Sequence, residues 1–86
     1  MLQFLYHREF RKDYKKLSSK VQKAFAERIV LFAQDPFQPL LRDHALHGDL
    51  EGKRAFSING DIRVVYRVLD KKTVMLLRVG THNQVY

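Results

Sequence analysis

The first third of the chain combines a short apolar run with two stretches whose hydrophobic residues recur at helical spacing. Residues 2–6 are mostly apolar and predict a short strand. In residues 9–17, Phe10, Tyr14 and Leu17 stand at positions i, i+4 and i+7, which places them on one side of a helix. This stretch is therefore predicted to be a helix that packs against a core through that side.

A second helix is predicted from residue 19 to about residue 34. Ser19, with Gln22 three residues later, matches the capping box that opens many helices. Asp35-Pro36 ends the pattern, because proline disfavours a helical conformation in the residue before it. The apolar stripe of this helix is formed by Val21, Phe25, Ile29 and Phe32.

Three further runs, residues 53–58, 62–69 and 73–79, are rich in valine, leucine and isoleucine and predict strands. Asn59-Gly60, between the first two runs, is a strong signal for a two-residue hairpin turn. The order of elements predicts an α+β fold, β-α-α-β-β-β, in which two N-terminal helices pack on a small antiparallel sheet. Eighty-six residues suffice for one modest core, so residues 1–86 are expected to form a single domain.

The turns decide which polar side chains share a face of this sheet, because side chains alternate between the two faces along a strand. A two-residue turn at Asn59-Gly60 places three of them on one face: Arg54, Asp61 and Arg63. A two-residue turn at residues 71–72 puts Arg78 opposite Val65 and adds Arg78 to the same face. A three-residue turn there would move Arg78 to the other side.

The charge of the chain narrows the choice of partners. Sixteen lysines and arginines against nine acidic residues give a net charge of +7, which favours a nucleic acid or an acidic protein as partner. A merely solvated basic surface is the alternative. The chain has no cysteine, its four histidines are scattered, and its carboxylates do not cluster, so we expect neither a metal nor a cofactor. No apolar run approaches the ~18 residues of a membrane span, and no signal peptide is apparent, so a cytoplasmic protein is expected.

The C-terminal segment supplies the candidate chemistry. Gly80 allows the chain to turn at the end of the last strand, and His82 and Tyr86 follow within six residues. An arginine-rich sheet face suits phosphate, a histidine moves protons near neutral pH, and arginines stabilise a pentavalent phosphorane. Together these groups could cleave RNA without a metal. The alternatives are that each arginine is an ordinary surface or ion-paired residue, that Tyr86 is a packed C-terminus, and that Asp61 only caps its turn.

The chain resembles the RelE/ParE superfamily of type II toxin–antitoxin toxins, and most closely its YafQ-like branch. The resemblance covers almost the whole chain and rests on five segments: Phe10-x-x-Asp13-Tyr14-Lys15-Lys16-Leu17, Asp43-His44-x-Leu46-x-Gly48, Gly52-x-Arg54, Asp61-Ile62-Arg63-Val64-Val65-Tyr66 and Gly80-Thr81-His82-x-x-x-Tyr86. It implies an mRNA interferase that enters the ribosomal A site and cuts the codon there by attack of the 2′-hydroxyl. The implied partners are mRNA, ribosomal RNA and a cognate antitoxin that holds the toxin inactive in a hetero-oligomer.

The resemblance also implies roles for individual residues. His82 matches the C-terminal catalytic histidine and His44 the loop histidine of the YafQ-like branch. Further catalytic positions are matched by Asp61, Arg78 and Tyr86. Positions that bind RNA phosphate are matched by Arg63 and Arg54, with the adjacent Lys53 expected to contribute.

The sequence departs from the branch at one position. YafQ has a further histidine in the strand before the hairpin, where this chain has Ser57. With strict alternation Ser57 points away from Arg54, which leaves its part in the site open, and His47 in the neighbouring loop is one candidate to compensate. The division of acid and base roles is therefore open.

Two other functions compete with RNA cleavage. A RelE-fold toxin without nuclease activity, such as the gyrase-directed ParE branch, lacks this set of histidines. A basic domain that binds RNA or protein, and cuts nothing, would use the same arginines. The histidines His44 and His82 together count against the ParE-like alternative, whereas a His82→Ala variant would decide between the nuclease and the binding domain.

Overall fold

The structure is a computed structural model that describes residues 2–86. It confirms the α+β class and the predicted order of the main elements. Four elements were not predicted: a two-residue strand and two 3₁₀ helices (Pro39–Leu41 and Gly48–Leu50) in the long loop, and a one-turn helix at the C-terminus. The strands and α-helices are β1 (Gln3–Tyr6), α1 (Arg8–Lys15), α2 (Ser19–Gln34), β2 (His44–Ala45), β3 (Arg54–Ser57), β4 (Ile62–Val68), β5 (Thr73–Thr81) and α3 (His82–Val85).

The two long helices follow the predicted apolar stripes. Phe10 of α1 and Phe25 and Phe32 of α2 are buried in one aromatic core with the sheet. Helix α2 begins at Ser19 as predicted, but its capping residue is Ser18, whose side chain accepts the hydrogen bond from the Val21 N–H. Helix α2 stops at Gln34, so Pro36 ends it as expected.

The sheet has five strands in the order β1-β5-β4-β3-β2. The strands β3, β4 and β5 form the predicted antiparallel meander, and β2 extends it at one edge. At the other edge β1 pairs in parallel with β5, so the sheet is mixed. The parallel pairing ends where Tyr6 lies opposite Leu76, which leaves the last residues of β5 without a strand on that side.

The β3–β4 hairpin has a three-residue turn, and the predicted two-residue turn is wrong. Ile58 donates its N–H to the carbonyl of Ile62, so residues 59–61 form the turn. The side chain of Asn59 stabilises this turn by accepting the N–H groups of Asp61 and Ile62 at 2.8 and 2.9 Å. Arg54 consequently lies opposite Tyr66, and the predicted common face of Arg54 and Arg63 does not exist.

The β4–β5 pairing reaches the predicted register by a different route. Leu69 donates to the carbonyl of Thr73, so this turn also has three residues, and Val68 lies opposite Val74. A bulge then adds one residue to β5, because Val65 lies opposite Arg78 whereas Tyr66 lies opposite Leu76. The bulge cancels the effect of the longer turn and places Arg78 opposite Val65, as expected.

The two faces of the sheet carry different cores. We call the face that packs on α1 and α2 the helix face, and it holds Phe56, Val64, Tyr66 and Leu76. We call the opposite face the site face, and its smaller core of Ala55, Val65 and Leu77 is covered by Leu46 and by Val85 of α3. Helix α3 therefore closes the end of the site face. None of the helices formed by residues 2–86 has the length and apolar composition needed to span a lipid bilayer.

Candidate active site

The one-turn helix α3 carries His82 and leads into Tyr86 at the end of β5. Its start is a capping box, in which the Thr81 N–H donates to Oε1 of Gln84 at 2.9 Å and the Thr81 side chain accepts in return. Val85 is 5% exposed and anchors the helix to the core of the site face. The turn into α3 is thus held by both backbone and packing, although His82 itself is exposed.

Gly80 is required by close packing and not by a special backbone conformation. The glycines with positive φ among residues 2–86 are Gly48 and Gly52, so the expectation that Gly80 serves to turn the chain is wrong. A Cβ atom on Gly80 would instead meet Oε1 of Gln84 at 2.6 Å and Cγ1 of Val85 at 3.3 Å. Glycine lets α3 fold back against β5.

Three of the predicted catalytic side chains come together at this end of the sheet. The ring centroids of His82 and Tyr86 are 4.4 Å apart in an edge-to-face arrangement. The Tyr86 hydroxyl lies 3.5 Å from Nε2 of His44, and the two ring centroids are 6.5 Å apart. His44 stands on β2, opposite Ala55, so a loop residue from the middle of the chain reaches the C-terminal pair.

Arg63 is the arginine associated with this cluster. It lies on the site face opposite Gly80 and Ser57, and its guanidinium donates to the carbonyls of Asn59 and Gly60 at 3.1 and 3.2 Å. Burial raises the pKa of the Tyr86 phenol, and the positive charge of Arg63 offsets part of that effect.

Ser57 lies on the site face, on the strand next to Arg63, and is 6% exposed. It points away from Arg54, as strict alternation requires. Ser57 therefore shares the site face with Arg63, whereas Arg54 lies on the helix face.

Arg78 is engaged in an ion pair with Asp13 of α1. Its Nε and Nη2 atoms donate to the two carboxylate oxygens at 2.7 and 3.1 Å, and the Val79 N–H adds a third bond at 3.1 Å. Burial would raise the pKa of Asp13, but the hydrogen bonds from Arg78 and Val79 outweigh it and hold that pKa below its usual value. Arg78 also lines an open depression of the site face, of about 520 Å³, together with Lys53 and Val85.

Arg54 forms the second arginine–aspartate pair, on the helix face. Its Nε donates to Oδ1 of Asp43 at 2.7 Å, and the hydroxyl of Tyr66 donates to Oδ2 of the same carboxylate. The hydrogen bond to Asp43 raises the pKa of Arg54. Tyr66 is 2% exposed and belongs to the core of the helix face.

The remaining predicted residues lie at the margins. Asp61 is exposed at the tip of the β3–β4 turn, and the hydrogen bond found there uses its backbone N–H. His47, the candidate to compensate for Ser57, has a side chain that is 81% exposed and lies 4.0 Å from the Glu51 carboxylate. Among residues 2–86, no three histidine or acidic side chains are placed to share a metal ion.

Sequence reasoning assigned no role to the two aspartates that organise these arginines. Asp13 stands half-buried as the one acidic residue within the basic stretch of residues 11–16, and Asp43 directly precedes the loop histidine. An isolated acid in a strongly basic segment is the signal that could have pointed to Asp13. Neither partner could be deduced, because 65 residues separate Asp13 from Arg78 and 23 separate Asp43 from Tyr66.

Several solved structures with the same fold are bacterial toxins. YafQ from E. coli strain BL21(DE3) superposes with a TM-score of 0.83 at 20% identity, covering 100% of this chain and 99% of that one. A copper-bound mutant toxin from Helicobacter pylori gives a TM-score of 0.78 at 29% identity, covering 100% of both chains. YafQ in an E. coli DinJ–YafQ complex gives 0.72 at 20% identity, covering 100% of this chain and 99% of that one.

Among curated protein sequences, no match is found. A family model described as the bacterial toxin of the type II toxin–antitoxin system, YafQ, matches residues 2–86. This match spans the strands, the helices and the C-terminal His82–Tyr86 segment alike. The chain therefore belongs to the YafQ family of type II toxin–antitoxin toxins.

Proposed function

We propose that this toxin is a ribosome-dependent endoribonuclease that cuts mRNA codons in the A site by metal-independent acid–base catalysis. The observation that carries the proposal is the convergence of His44, His82 and Tyr86 at one end of the site face, beside Arg63. Two imidazoles and a phenol on an exposed, basic surface are suited to a large polyanionic substrate. The exposure of His44 and His82 leaves both rings accessible to RNA.

The reaction needs one group to accept a proton and one to donate a proton. One imidazole removes the proton from the 2′-hydroxyl, and the 2′-oxygen then attacks the adjacent phosphorus. The bond from phosphorus to the 5′-oxygen breaks, and the other imidazole, in its protonated form, supplies the proton that the leaving oxygen requires. The products are a 2′,3′-cyclic phosphate and a 5′-hydroxyl.

Arg63 would stabilise the negative charge that develops on the phosphorane, because a guanidinium presents a fork that matches phosphate oxygens. Tyr86 would orient the phosphate or stack on a base. Lys53 and Arg78 line the neighbouring depression, and their side chains would contact the RNA backbone. Asp61 lies in the turn whose carbonyls bind the Arg63 guanidinium, and its catalytic role remains a prediction for an Asp61→Asn variant to test.

We expect the physiological partner to be a cognate antitoxin. A DinJ–YafQ complex exists for the E. coli protein with the same fold. The net charge of +7 would attract an acidic antitoxin segment as well as ribosomal RNA, so the two would compete for overlapping basic surface. Action on ribosomes places the protein in the cytoplasm.

The test is induction of the chain in a bacterial host, followed by primer extension on a reporter mRNA in translated and untranslated forms. Cuts at codon positions in the translated message alone would support the proposal. Growth arrest without cuts would instead indicate a toxin that binds its target and cleaves nothing. Absence of both would mean that a chain with Ser57 in place of the histidine lacks this activity.

A further inference from the structure

A buried polar network lies directly behind His44, on the other face of the sheet. The Asp43 side chain is only 3% exposed and accepts a hydrogen bond from Nε of Arg54 at 2.7 Å, and Nη2 of the same guanidinium forms an ion pair with this carboxylate at 2.6 Å. The hydroxyl of Tyr66 donates to the second carboxylate oxygen. Burial, and then the negative charge and hydrogen bond of Asp43, raise the pKa of the Tyr66 phenol, so the hydroxyl stays protonated and remains a donor.

This network fixes the start of strand β2 to the centre of the sheet. Arg54 belongs to β3 and Tyr66 to β4, and the two residues lie opposite each other. A carboxylate removed from water is costly unless its oxygens are bonded, so Asp43 stays where both partners reach it. Neighbouring side chains of an extended segment point to opposite faces, and His44 is therefore presented on the site face when Asp43 is held on the helix face.

The backbone before Asp43 determines the tautomer of His44. Arg42 adopts a left-handed conformation, with φ 51° and ψ 39°. Its carbonyl oxygen lies 3.0 Å from Nδ1 of His44. A carbonyl only accepts hydrogen bonds, so in the neutral ring Nδ1 carries the hydrogen and Nε2 keeps its lone pair, 3.5 Å from the Tyr86 hydroxyl.

We propose that Asp43, Arg54 and Tyr66 form a positioning network that holds His44 as the Nδ1–H tautomer, with Nε2 as the general base. This inference rests on the proposed nuclease function. Nε2 takes the proton from the 2′-hydroxyl as the 2′-oxygen bonds to phosphorus. His82, in its protonated form, gives a proton to the departing 5′-oxygen, and both exposed rings then exchange protons with solvent.

Arg54 acquires a different role in this scheme from the one expected from sequence. Its charge is matched by Asp43 on the helix face, away from Arg63 and His82. Arg54 acts on catalysis through the position of His44, and RNA phosphate is left to Arg63. The two roles can be distinguished kinetically. Loss of a phosphate-binding arginine raises half-saturation, whereas loss of a positioning arginine lowers the maximal rate.

The first experiment is nitrogen-15 NMR of the histidine rings in the full-length chain. His44 of the wild type should show the Nδ1–H tautomer, and Tyr66→Phe and Asp43→Asn should shift it toward a mixture. Tyr6→Phe is the matched control, because it removes an exposed hydroxyl from β1 and should leave His44 unchanged. An Nε2–H tautomer in the wild type would overturn the proposal whether or not the protein cleaves RNA.

The second experiment is single-turnover cleavage of mRNA on programmed ribosomes. Tyr66→Phe should lower the rate at saturating ribosome between about tenfold and a hundredfold, the cost of a misplaced catalytic group, with half-saturation unchanged. Arg54→Met should do the same, with partial recovery in Arg54→Lys. A rise in half-saturation with an unchanged maximal rate for Arg54→Met would make Arg54 a phosphate ligand and refute the positioning role. If the wild-type protein shows the Nδ1–H tautomer but does not cleave mRNA, the result counts against the nuclease function and not against the positioning of His44.

Discussion

Asp13 of α1 and Arg78 of β5 are joined by an ion pair of 2.7 Å at the point where the sheet loses its edge strand. Strand β1 pairs with β5 only as far as Leu76. Beyond that residue, β1 offers no hydrogen-bond partner to the N–H of Val79. Asp13 accepts this N–H at 3.1 Å while it also binds the arginine. A single carboxylate thus fastens α1 to the segment of β5 that leads to His82.

The loss of this carboxylate should reduce stability in a pH-dependent way. The pKa of Asp13 is lower in the folded protein than its unfolded value of 3.8, so its stabilisation is complete well above pH 3.8 and is lost as the pH falls below that value. Asp13→Asn should lower the free energy of unfolding by about 1.5–3 kcal/mol at pH 7, the range for charged hydrogen bonds, and by less near pH 3. Urea denaturation at both pH values measures this. The exposed Asp49→Asn serves as control, and an equal deficit at both values would contradict the linkage.

Substitution of Gly80 should displace α3. In Gly80→Ala the new Cβ meets Gln84 at 2.6 Å, and rotating that side chain away breaks the capping bond to Thr81. We expect a loss of about 1 kcal/mol, as for other helix caps, together with a loss of cleavage larger than the stability change accounts for. Gly60→Ala is the control, since nothing lies within 4 Å of its Cβ. Thermal unfolding and primer extension report the two effects, and wild-type cleavage by Gly80→Ala would show that α3 tolerates the shift.

Removal of the His82 imidazole should separate catalysis from binding. His82→Ala should abolish growth arrest, because the leaving oxygen loses its acid, while antitoxin affinity stays within about tenfold, or 1.4 kcal/mol. The neighbouring exposed Asn83→Ala should remain toxic. Induction assays and calorimetric titration with the antitoxin test this, and full toxicity of His82→Ala would exclude a catalytic role for this histidine.

Tyr86 offers both a ring and a hydroxyl, and two variants distinguish their contributions. Tyr86→Phe keeps the edge-to-face contact with His82 and loses only the long contact with His44. Its cleavage rate should fall by less than about tenfold, the factor that 1.4 kcal/mol represents, whereas Tyr86→Ala should fall further. Single-turnover rates on ribosomes decide this. Equal losses in the two variants would assign the contribution to the hydroxyl.

Ribosome binding should weaken with salt, and Arg63 should account for part of that dependence. Each phosphate contact adds about one unit to the slope of log affinity against log salt. Arg63→Gln should reduce the slope by about that amount, while Lys23→Gln, on the exposed side of α2, should leave it unchanged. Co-sedimentation with ribosomes at several salt concentrations measures the slope. An unchanged slope in Arg63→Gln would remove this arginine from the RNA contact.

Much of the fold was predictable because the signals are local. The apolar stripe that contains Phe25 and Phe32, the stop at Pro36 and the three β-rich runs depend on residues within a few positions of each other. The pairing partners were less accessible. Asn59-Gly60 favours a two-residue turn by its residue types, yet the side chain of Asn59 stabilises a turn of three residues, and this one difference moved Arg54 to the other face.

The sequence by itself determined the kind of elements, their order and the chemical groups available, including the paired histidines and the C-terminal tyrosine. Only the tertiary structure decided which of these groups meet. The bulge in β5 restored Arg78 to its expected position, and two aspartates distant in the chain bound two of the three sheet arginines. These outcomes depend on strand register and on charge pairing between residues far apart in the chain. Packing across the whole sheet determines both, so neither can be predicted from a local stretch of sequence.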